Sequence, residues 1–580
     1  MSAPPELPGG GPSAPLPPRP AESDAAAASP RPAETAPRET RPAPQSPQSP
    51  PEPHTGPASS VASAGSTGRT ARAWSAGLDS LLAALAGGLH ALSFAPREAG
   101  WLQLACVAWL FARLAAAPTA RRGALLGWAF GTAWLLGGVW WLYISLHRYG
   151  GLAAPLAALA VLLLCGFLAL YLAAAAAAFV RWRRGRPGPD AALFAALWLL
   201  AELARARLFT GFPWVASGYA HTDSPLAALA PWIGVYGLGA LAAALAALAP
   251  SAVTARGRAR LGPAAGALAL GLLPLALPQD FTRPAGTLQV ALLQGNVPQN
   301  EKFEPVFQGE ALEWTLRALL QSPAQLVIAP ETAIPLLPSQ LPEGLWERLR
   351  AEFAQGGRAA LVGVPLGSFE AGYTNSAVGF SRAAAALPGG EYRYDKHHLV
   401  PFGEFIPPGF RWFVDLMRIP HGDFARGPLV APSFAVGGQR VAPNISYEDL
   451  FGEELAARFV DAEDTAPTVL ANLSNIAWFG DTVAVDQHLQ IARMRSLELQ
   501  RPSVRATNTG ATAIVDHRGR VEKLLAPHSR GVLLGPVQGR VGTTPYAAWA
   551  GRWGLVPAAA AALAVVAGFA LAGGRRGAAR

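Results

Sequence analysis

The sequence predicts a membrane-embedded α-helical bundle joined to an α/β domain. Three observations carry that expectation. The chain has 580 residues, of which 51% are hydrophobic and only 15% charged, whereas an ordinary soluble domain carries about 25% charged residues. A series of apolar runs fills residues 77–277, each near the ~20 residues that cross a bilayer. Beyond residue 280 the pattern changes to short β-type runs separated by helix-like stretches, which indicates layered helices and sheets.

Residues 1–72 are rich in Pro, Ala and Ser and almost free of aromatics. Such a segment buries too little apolar surface to order itself, so a disordered cytoplasmic tail is expected. It lacks a basic stretch followed by an apolar core, so it does not read as a cleavable signal. Residues 73–280 form the expected bundle, with spans near 77–95, 100–117, 123–146, 152–180, 191–208, 226–250 and 261–277. A further run at 554–573 lies within a C-terminal segment, 551–580, that ends in a basic tail. The expectation is therefore about eight transmembrane helices.

The loops between spans set the orientation. Arg121 and Arg122, then Arg181, Arg183, Arg184 and Arg186, then Arg256, Arg258 and Arg260 mark one side, while the alternate loops hold fewer arginines. By the positive-inside rule both termini lie in the cytoplasm and residues 281–550 lie outside. The same placement accounts for the net charge of +9, so no nucleic-acid partner is expected from the basic balance. Cys106 and Cys165 are the two cysteines, both inside apolar runs, which argues against a structural disulfide or a zinc site.

In the outer segment, strands are expected at 288–293, 326–329, 360–364 and 468–471, with helices at 309–320 and 343–355. Three stretches there carry chemistry. Tyr394 to Pro407 sets Lys396 and Glu404 eight positions apart around an apolar segment, and such charges are rare inside a fold unless paired. Ala329 to Pro335 contains Glu331, and Asn444 to Glu448 contains Ser446. Each of these two follows a strand-like run. A carboxylate, a lysine and a nucleophile-sized residue at strand ends make a catalytic constellation. Taken alone, Glu331 reads as a charge near a helix start, and His397 and His398 read as surface or supporting groups. Glu202 beside Arg205 in an apolar span is a functional candidate by default, although a pair satisfied within the bundle is the plainer account. Trp140, Trp141 and Tyr143 read as an interfacial aromatic belt.

Taken together and in order, Pro330-Glu331-Thr332-Ala333-Ile334-Pro335, Lys396 with Leu399 to Phe405, Tyr447-Glu448 and Ser474 to Gly480 resemble the apolipoprotein N-acyltransferase family. Ser93-Phe94-Ala95-Pro96 and Gly211-Phe212-Pro213-Trp214 in the bundle fit the same family, so the resemblance runs from about 75 to 555. It implies a nitrilase-like α-β-β-α sandwich on a helical bundle in the bacterial inner membrane, with the catalytic domain in the periplasm. A monomer is expected, and because the sequence carries no metal or nucleotide motif, no cofactor and no metal are expected. The implied reaction moves an acyl chain from a phospholipid of the phosphatidylethanolamine type to the free α-amino group of a diacylglyceryl-apolipoprotein. Position by position, Glu331 matches the general base, Lys396 the oxyanion-stabilising lysine and Glu404 a second essential glutamate. Glu448 follows the nucleophile position, while Tyr447, Trp478 and Asn375 fall on the substrate side.

Two positions depart from the family's pattern. Ser446 stands where the family has its cysteine nucleophile, and Ile476 stands where it usually has aspartate. A thiol with a pKa near 8.5 gives up its proton to a glutamate far more readily than a serine hydroxyl does, and serine is normally activated by a histidine. Acyl transfer slower by orders of magnitude is therefore expected unless His397 or His398 assists. The alternative is a catalytically silent homologue that binds phospholipid or lipoprotein without turnover. An amidase acting on a small soluble amide is a weaker alternative, because such a substrate needs no membrane bundle.

Overall fold

The computed structural model describes residues 64–577 apart from 369, 418–422 and 463, with side chains from 77 to 572. The chain divides into two compact units, Met1–Gly65 and Ser66–Arg580. The first lies outside the described residues except where the first helix begins at Ala64, so most of the expected 1–72 tail is not described.

Each apolar run falls on a helix: Ala64–Ala91, Gly100–Ala116, Ala120–Val139, Ala154–Trp182, Pro187–Arg207, Ala230–Thr254, Leu261–Ala276 and Val556–Gly577. The expected eight crossings are not all long and apolar enough to span on their own. Among the described residues three helical stretches are: Ala154–Trp182, Pro225–Thr254 and Gly257–Ala276. The number rises to five if Ala120–Val139 with Leu142–Tyr149, bent by 63°, and Pro545–Trp553 with Val556–Ala572, bent by 87°, each count once. The shortfall has visible causes. Gly100–Ala116 has only 17 residues, and Pro187–Arg207 carries Asp190, Glu202, Arg205 and Arg207.

Small residues set how the helices approach. Gly123, Gly127 and Gly131 recur every fourth position along Ala120–Val139, on one face of that helix. A Cβ at Gly127 would lie 2.7 Å from Ala176 Cβ and 2.9 Å from the Leu172 carbonyl oxygen of the neighbouring helix. Backbones can come this close only where side chains are absent, the small-residue packing of membrane helices.

After Ala276 the described residues form twelve strands in two six-stranded sheets. Thr282–Gln294 is β1, Leu326–Ala329 β2, Ala359–Ser368 β3, Gly372–Phe380 β4, Tyr392–Asp395 β5 and Phe434–Val436 β6. Gln439–Ile445 is β7, Val469–Ser474 β8, Ser503–Thr507 β9, Ala513–Val515 β10, Val521–Leu524 β11 and Gly531–Gly542 β12. One sheet runs β12-β1-β2-β3-β4-β5 and the other β11-β10-β9-β8-β7-β6. The centre of each is parallel: β1, β2 and β3 in the first, β7, β8 and β9 in the second.

Period-two alternation assigns the faces. Val290, Leu292 and Ile328 from the first sheet meet Val441, Val469, Ala471 and Val504 from the second in one buried layer. The alternate residues Ala291, Leu293 and Val327 pack under Leu312, Leu319, Leu349 and Phe353 of the helices Pro305–Gln321 and Leu345–Gln355. Ala442 and Leu470 pack under Leu499 and Tyr546 of Ala484–Leu499 and Pro545–Trp553. The layers are thus helix, sheet, sheet, helix, and the ends of the parallel strands converge where the two sheets meet.

The bundle contact gives a direct test. Gly127→Leu forces two backbones apart, and overpacking of this kind costs about 1–3 kcal/mol. A lower thermal midpoint of the detergent-purified protein, beside an unchanged midpoint for Gly188→Leu at an open position, is the expected outcome.

Candidate active site

Four of the predicted site residues form one hydrogen-bonded group. Glu331 stands two residues past the end of β2, where Pro330 stops the strand. Gly363 of β3 lets that turn pack close: a Cβ there would lie 2.3 Å from the Pro330 carbonyl oxygen and 2.7 Å from Glu331 Cα. Lys396 directly follows β5, and its backbone N–H donates to the Asn375 carbonyl at 2.9 Å. Its side chain is 1% exposed, and the ammonium lies 2.9 Å from Glu404 Oε1 and 3.5 Å from Glu331 Oε1. The Asn375 amide donates to both of those oxygens, at 2.7 Å each. The remaining oxygens are held by backbone: Asn475 N donates to Glu331 Oε2 at 2.8 Å and Val400 N to Glu404 Oε2 at 2.8 Å. Burial works against the Lys396 charge, but Glu404 and then Glu331 outweigh it and hold the ammonium above its ordinary pKa. Lys396 is a fixed cation here.

Ser446 follows the last residue of β7 with φ of 52°, a left-handed conformation uncommon for a residue with a Cβ. Its hydroxyl lies 3.4 Å from that of Ser474 at the end of β8. Because Asn475, the next residue, donates to Glu331, the end of β8 joins the Ser446 turn to the Glu331 carboxylate. Glu448 fixes the turn from the other side. Its carboxylate accepts from Tyr394 OH at 2.7 Å, Ile445 N at 2.6 Å, His397 N at 2.7 Å and His398 N at 3.2 Å. One buried carboxylate thereby ties the residues just after Lys396 to the residue before Ser446.

The other predicted residues have structural partners. Tyr447 is buried, with its hydroxyl donating to the Gly211 carbonyl at 2.8 Å. Trp478 is half-buried and meets Tyr149 edge-on at 5.8 Å. Ile476 is buried against Val485 and Ala511. Neither suggested histidine faces Ser446. His397 Nδ1 is 2.9 Å from the Gly427 carbonyl, and His398 sits between Glu454 and the Thr210 carbonyl, stacked on Phe451.

Several residues at the site escaped the sequence reading. Gln299 accepts from the Asn475 amide at 2.9 Å, and Asn508 bridges Val297 and Asn475. Lys302 is buried and its ammonium donates to the Glu331 carbonyl oxygen at 2.9 Å. Burial pulls its pKa down to about 8, partly offset by Glu331. A compositional signal marked it: the chain has only three lysines, Lys302, Lys396 and Lys523, and two of them meet Glu331. Among the described residues no group of His, Cys, Asp and Glu is arranged to hold a metal.

Two measurements probe this arrangement. Glu448→Gln turns an all-acceptor group into one with a misplaced donor, and each buried donor left unpaired costs about 1–3 kcal/mol. A lower unfolding midpoint than that of Glu343→Gln, at an exposed position, is expected. Lys302 has a folded pKa of about 8 against 10.5 ordinarily. Between those values the unfolded chain binds a proton that the folded chain does not, so this group's contribution to stability rises with pH. Lys302→Met removes that slope, and its unfolding midpoint relative to the parent should fall as pH is raised from 8 to 10.

Comparison with known proteins places this geometry. Residues 86–248 match the family model described as the apolipoprotein N-acyltransferase N-terminal domain, and residues 289–546 match the carbon–nitrogen hydrolase model. The apolipoprotein N-acyltransferase of Verminephrobacter eiseniae is 55% identical over 481 residues, covering 78% of this chain and 88% of that one. That of Ralstonia nicotianae is 48% identical over 492 residues, covering 84% and 92%. Among solved structures, a carbon–nitrogen hydrolase from Helicobacter pylori G27 superposes with a TM-score of 0.31 and 15% identity, covering 44% of this chain and 90% of that one. With such identity over most of both chains, this protein belongs to the apolipoprotein N-acyltransferase family, a family of acyltransferases.

Proposed function

We propose that this chain N-acylates the terminal S-diacylglyceryl cysteine of apolipoproteins, taking the acyl chain from a phospholipid of the phosphatidylethanolamine type. The observation that carries this reading is the group Glu331, Asn375, Lys396 and Glu404, buried beside the Ser446 turn on a domain joined to an apolar bundle. In this reading all eight apolar helices lie in the bacterial inner membrane, the two-sheet domain faces the periplasm, and a single chain does the work.

The reaction runs in two halves. Glu331 takes the proton of the residue-446 side chain as Oγ attacks the phospholipid ester carbonyl. Lys396 faces the developing oxyanion, and removing one such donor typically costs about 3 kcal/mol of barrier stabilisation. The intermediate collapses with cleavage of the ester C–O bond, and the lysophospholipid alkoxide takes the proton back from Glu331. The lipoprotein α-amine then attacks the acyl-enzyme. Glu331 accepts the amine proton and returns it to Ser446 as the amide forms. Glu404 and Asn375 hold Lys396 and Glu331 at fixed separation throughout.

Ser446 favours a second reading, a chain that binds these lipids with little or no turnover. The hydroxyl has Ser474 as its hydrogen-bond partner, and His397 and His398 are engaged elsewhere, so the usual activation of serine is missing. An assay with phosphatidylethanolamine and a diacylated lipopeptide separates the two. Ser446→Cys is expected to transfer at least ~100-fold faster than the parent, since a thiol ionises far more readily and leaves better. Glu331→Gln is expected to abolish transfer in both backgrounds. Transfer surviving Glu331→Gln, or absent from Ser446→Cys, overturns the reading.

A further inference from the structure

Behind the Ser446 turn lies a buried polar chain that the proposed reaction does not use. His488 on Ala484–Leu499, Arg505 on β9 and Asp449, three residues past Ser446, are each no more than 2% exposed. His488 Nε2 is 3.2 Å from the Ser446 carbonyl oxygen, and Nδ1 is 3.0 Å from an Arg505 guanidinium nitrogen. Arg505 in turn pairs with the Asp449 carboxylate, whose Oδ2 is 3.9 Å from His488 Nε2. Trp214, from the bundle, stacks on the imidazole at 5.8 Å.

The donors in this chain determine where the protons sit. A guanidinium donates and never accepts, so His488 Nδ1 must be the bare nitrogen. The ring proton therefore sits on Nε2, where it donates to the Ser446 carbonyl. Burial, with the nearby Arg505 and Lys396 charges adding to it, holds the ring neutral. Asp449 supplies the counter-charge that a buried Arg505 requires. The Ser446 carbonyl also faces the Asn472 amide at 3.4 Å, so both sides of that oxygen are engaged. Fixing the carbonyl fixes the whole plane of the 446–447 peptide. A left-handed serine persists only where its surroundings over-determine it; His488 and Asn472 are part of those surroundings.

We propose that His488 is a positioning residue for acyl transfer: its Nε2–H, in a tautomer set by Arg505 and Asp449, holds the Ser446 carbonyl and so aims the residue-446 side chain. The inference rests on position 446 being the nucleophile. His488 touches neither substrate nor the reacting oxygen. It acts through the backbone, as the orienting groups beneath other catalytic side chains do.

Two measurements test it. On the unaltered full-length protein, 15N-histidine spectra at neutral pH should show one buried ring protonated at Nε2 and bare at Nδ1. The ring meant is the one whose signals vanish in His488→Leu; its protonation at Nδ1, or at both nitrogens, overturns the proposal. Acyl-enzyme formation from phosphatidylethanolamine, read by intact mass in the Ser446→Cys chain, is then compared with and without a second change. His488→Leu should slow it about tenfold or more at unchanged phospholipid KM, because small misplacements of a reacting group are costly. His488→Gln, which keeps a donor near the Nε2 position, should recover most of the rate. An unchanged rate in His488→Leu, or equal loss in the Leu and Gln variants, overturns it. A Ser446→Cys chain that forms no acyl-enzyme at all counts against the proposed function instead, and the spectra still decide the tautomer.

Discussion

The site depends on keeping Lys396 charged in a place where a lone charge could not stay. Taking an ammonium out of water costs several kcal/mol after relaxation, so its position is tolerable only with carboxylates in reach. Glu404 and Glu331 provide them. The requirement is mutual. Two carboxylates sharing a buried site repel and favour protonation of one of them, and Lys396 and the Asn375 amide between their Oε1 atoms relieve that repulsion. Lys302 adds a second cation on the far side of Glu331, on its backbone rather than its carboxylate. The charges thus come as a set, and loss of one member leaves the others uncompensated.

The topology brings the set together. Glu331, Lys396, Ser446 and Ser474 to Asn475 each sit at or just beyond the end of a strand, and these strands belong to two different sheets. Strand ends are where backbone amides go unpaired, and here those amides are used. Asn475 N holds Glu331, while Ile445, His397 and His398 N–H groups hold Glu448. The bundle reaches the same place. Successive carbonyls of Thr210 and Gly211 accept from His398 and Tyr447, which stand two residues past Lys396 and one past Ser446. That bundle loop is itself held from within the helices: Arg205 donates to the Phe212 and Trp214 carbonyls, and Glu202 accepts from Arg205 and from both the backbone and side chain of Ser217. The Glu202–Arg205 pair is satisfied, as the plainer sequence reading has it, and the same bonds shape the loop that buttresses the candidate site.

What the sequence made legible follows from what leaves a local trace. The apolar runs and the β-type runs are periodic, so the helices and the central strands could be placed. Lys396 and Glu404 stood out because they interrupt an apolar stretch. The number of spans was less legible, because helix formation and membrane length are different requirements: Gly100–Ala116 meets the first and falls short of the second. Asn475, Asn508, Gln299 and His488 left no local trace, since ordinary polar residues acquire their roles only when distant segments meet. Lys302 lies between these cases. A chain that uses arginine almost everywhere but keeps three lysines marks positions where a compact ammonium is not interchangeable with a planar guanidinium.

The same logic bears on Ser446. A site adapted to a different nucleophile should have rebuilt its surroundings, with an imidazole brought within reach of the hydroxyl. The surroundings instead hold a single carboxylate, Glu331, a fixed ammonium, Lys396, and a left-handed turn, and the proposed reaction draws on these alone. The imidazole that comes closest, His488, grips the carbonyl and has its other nitrogen occupied by Arg505. Turning that ring toward Oγ would give up its bonds to the Ser446 carbonyl and to the Arg505 guanidinium, so the polar chain that positions the turn also keeps histidine out of the role of base. In the proposed reading, the serine at 446 changes the chemistry of one atom, while Glu331, Lys396 and the His488 chain around it stay as the reaction uses them.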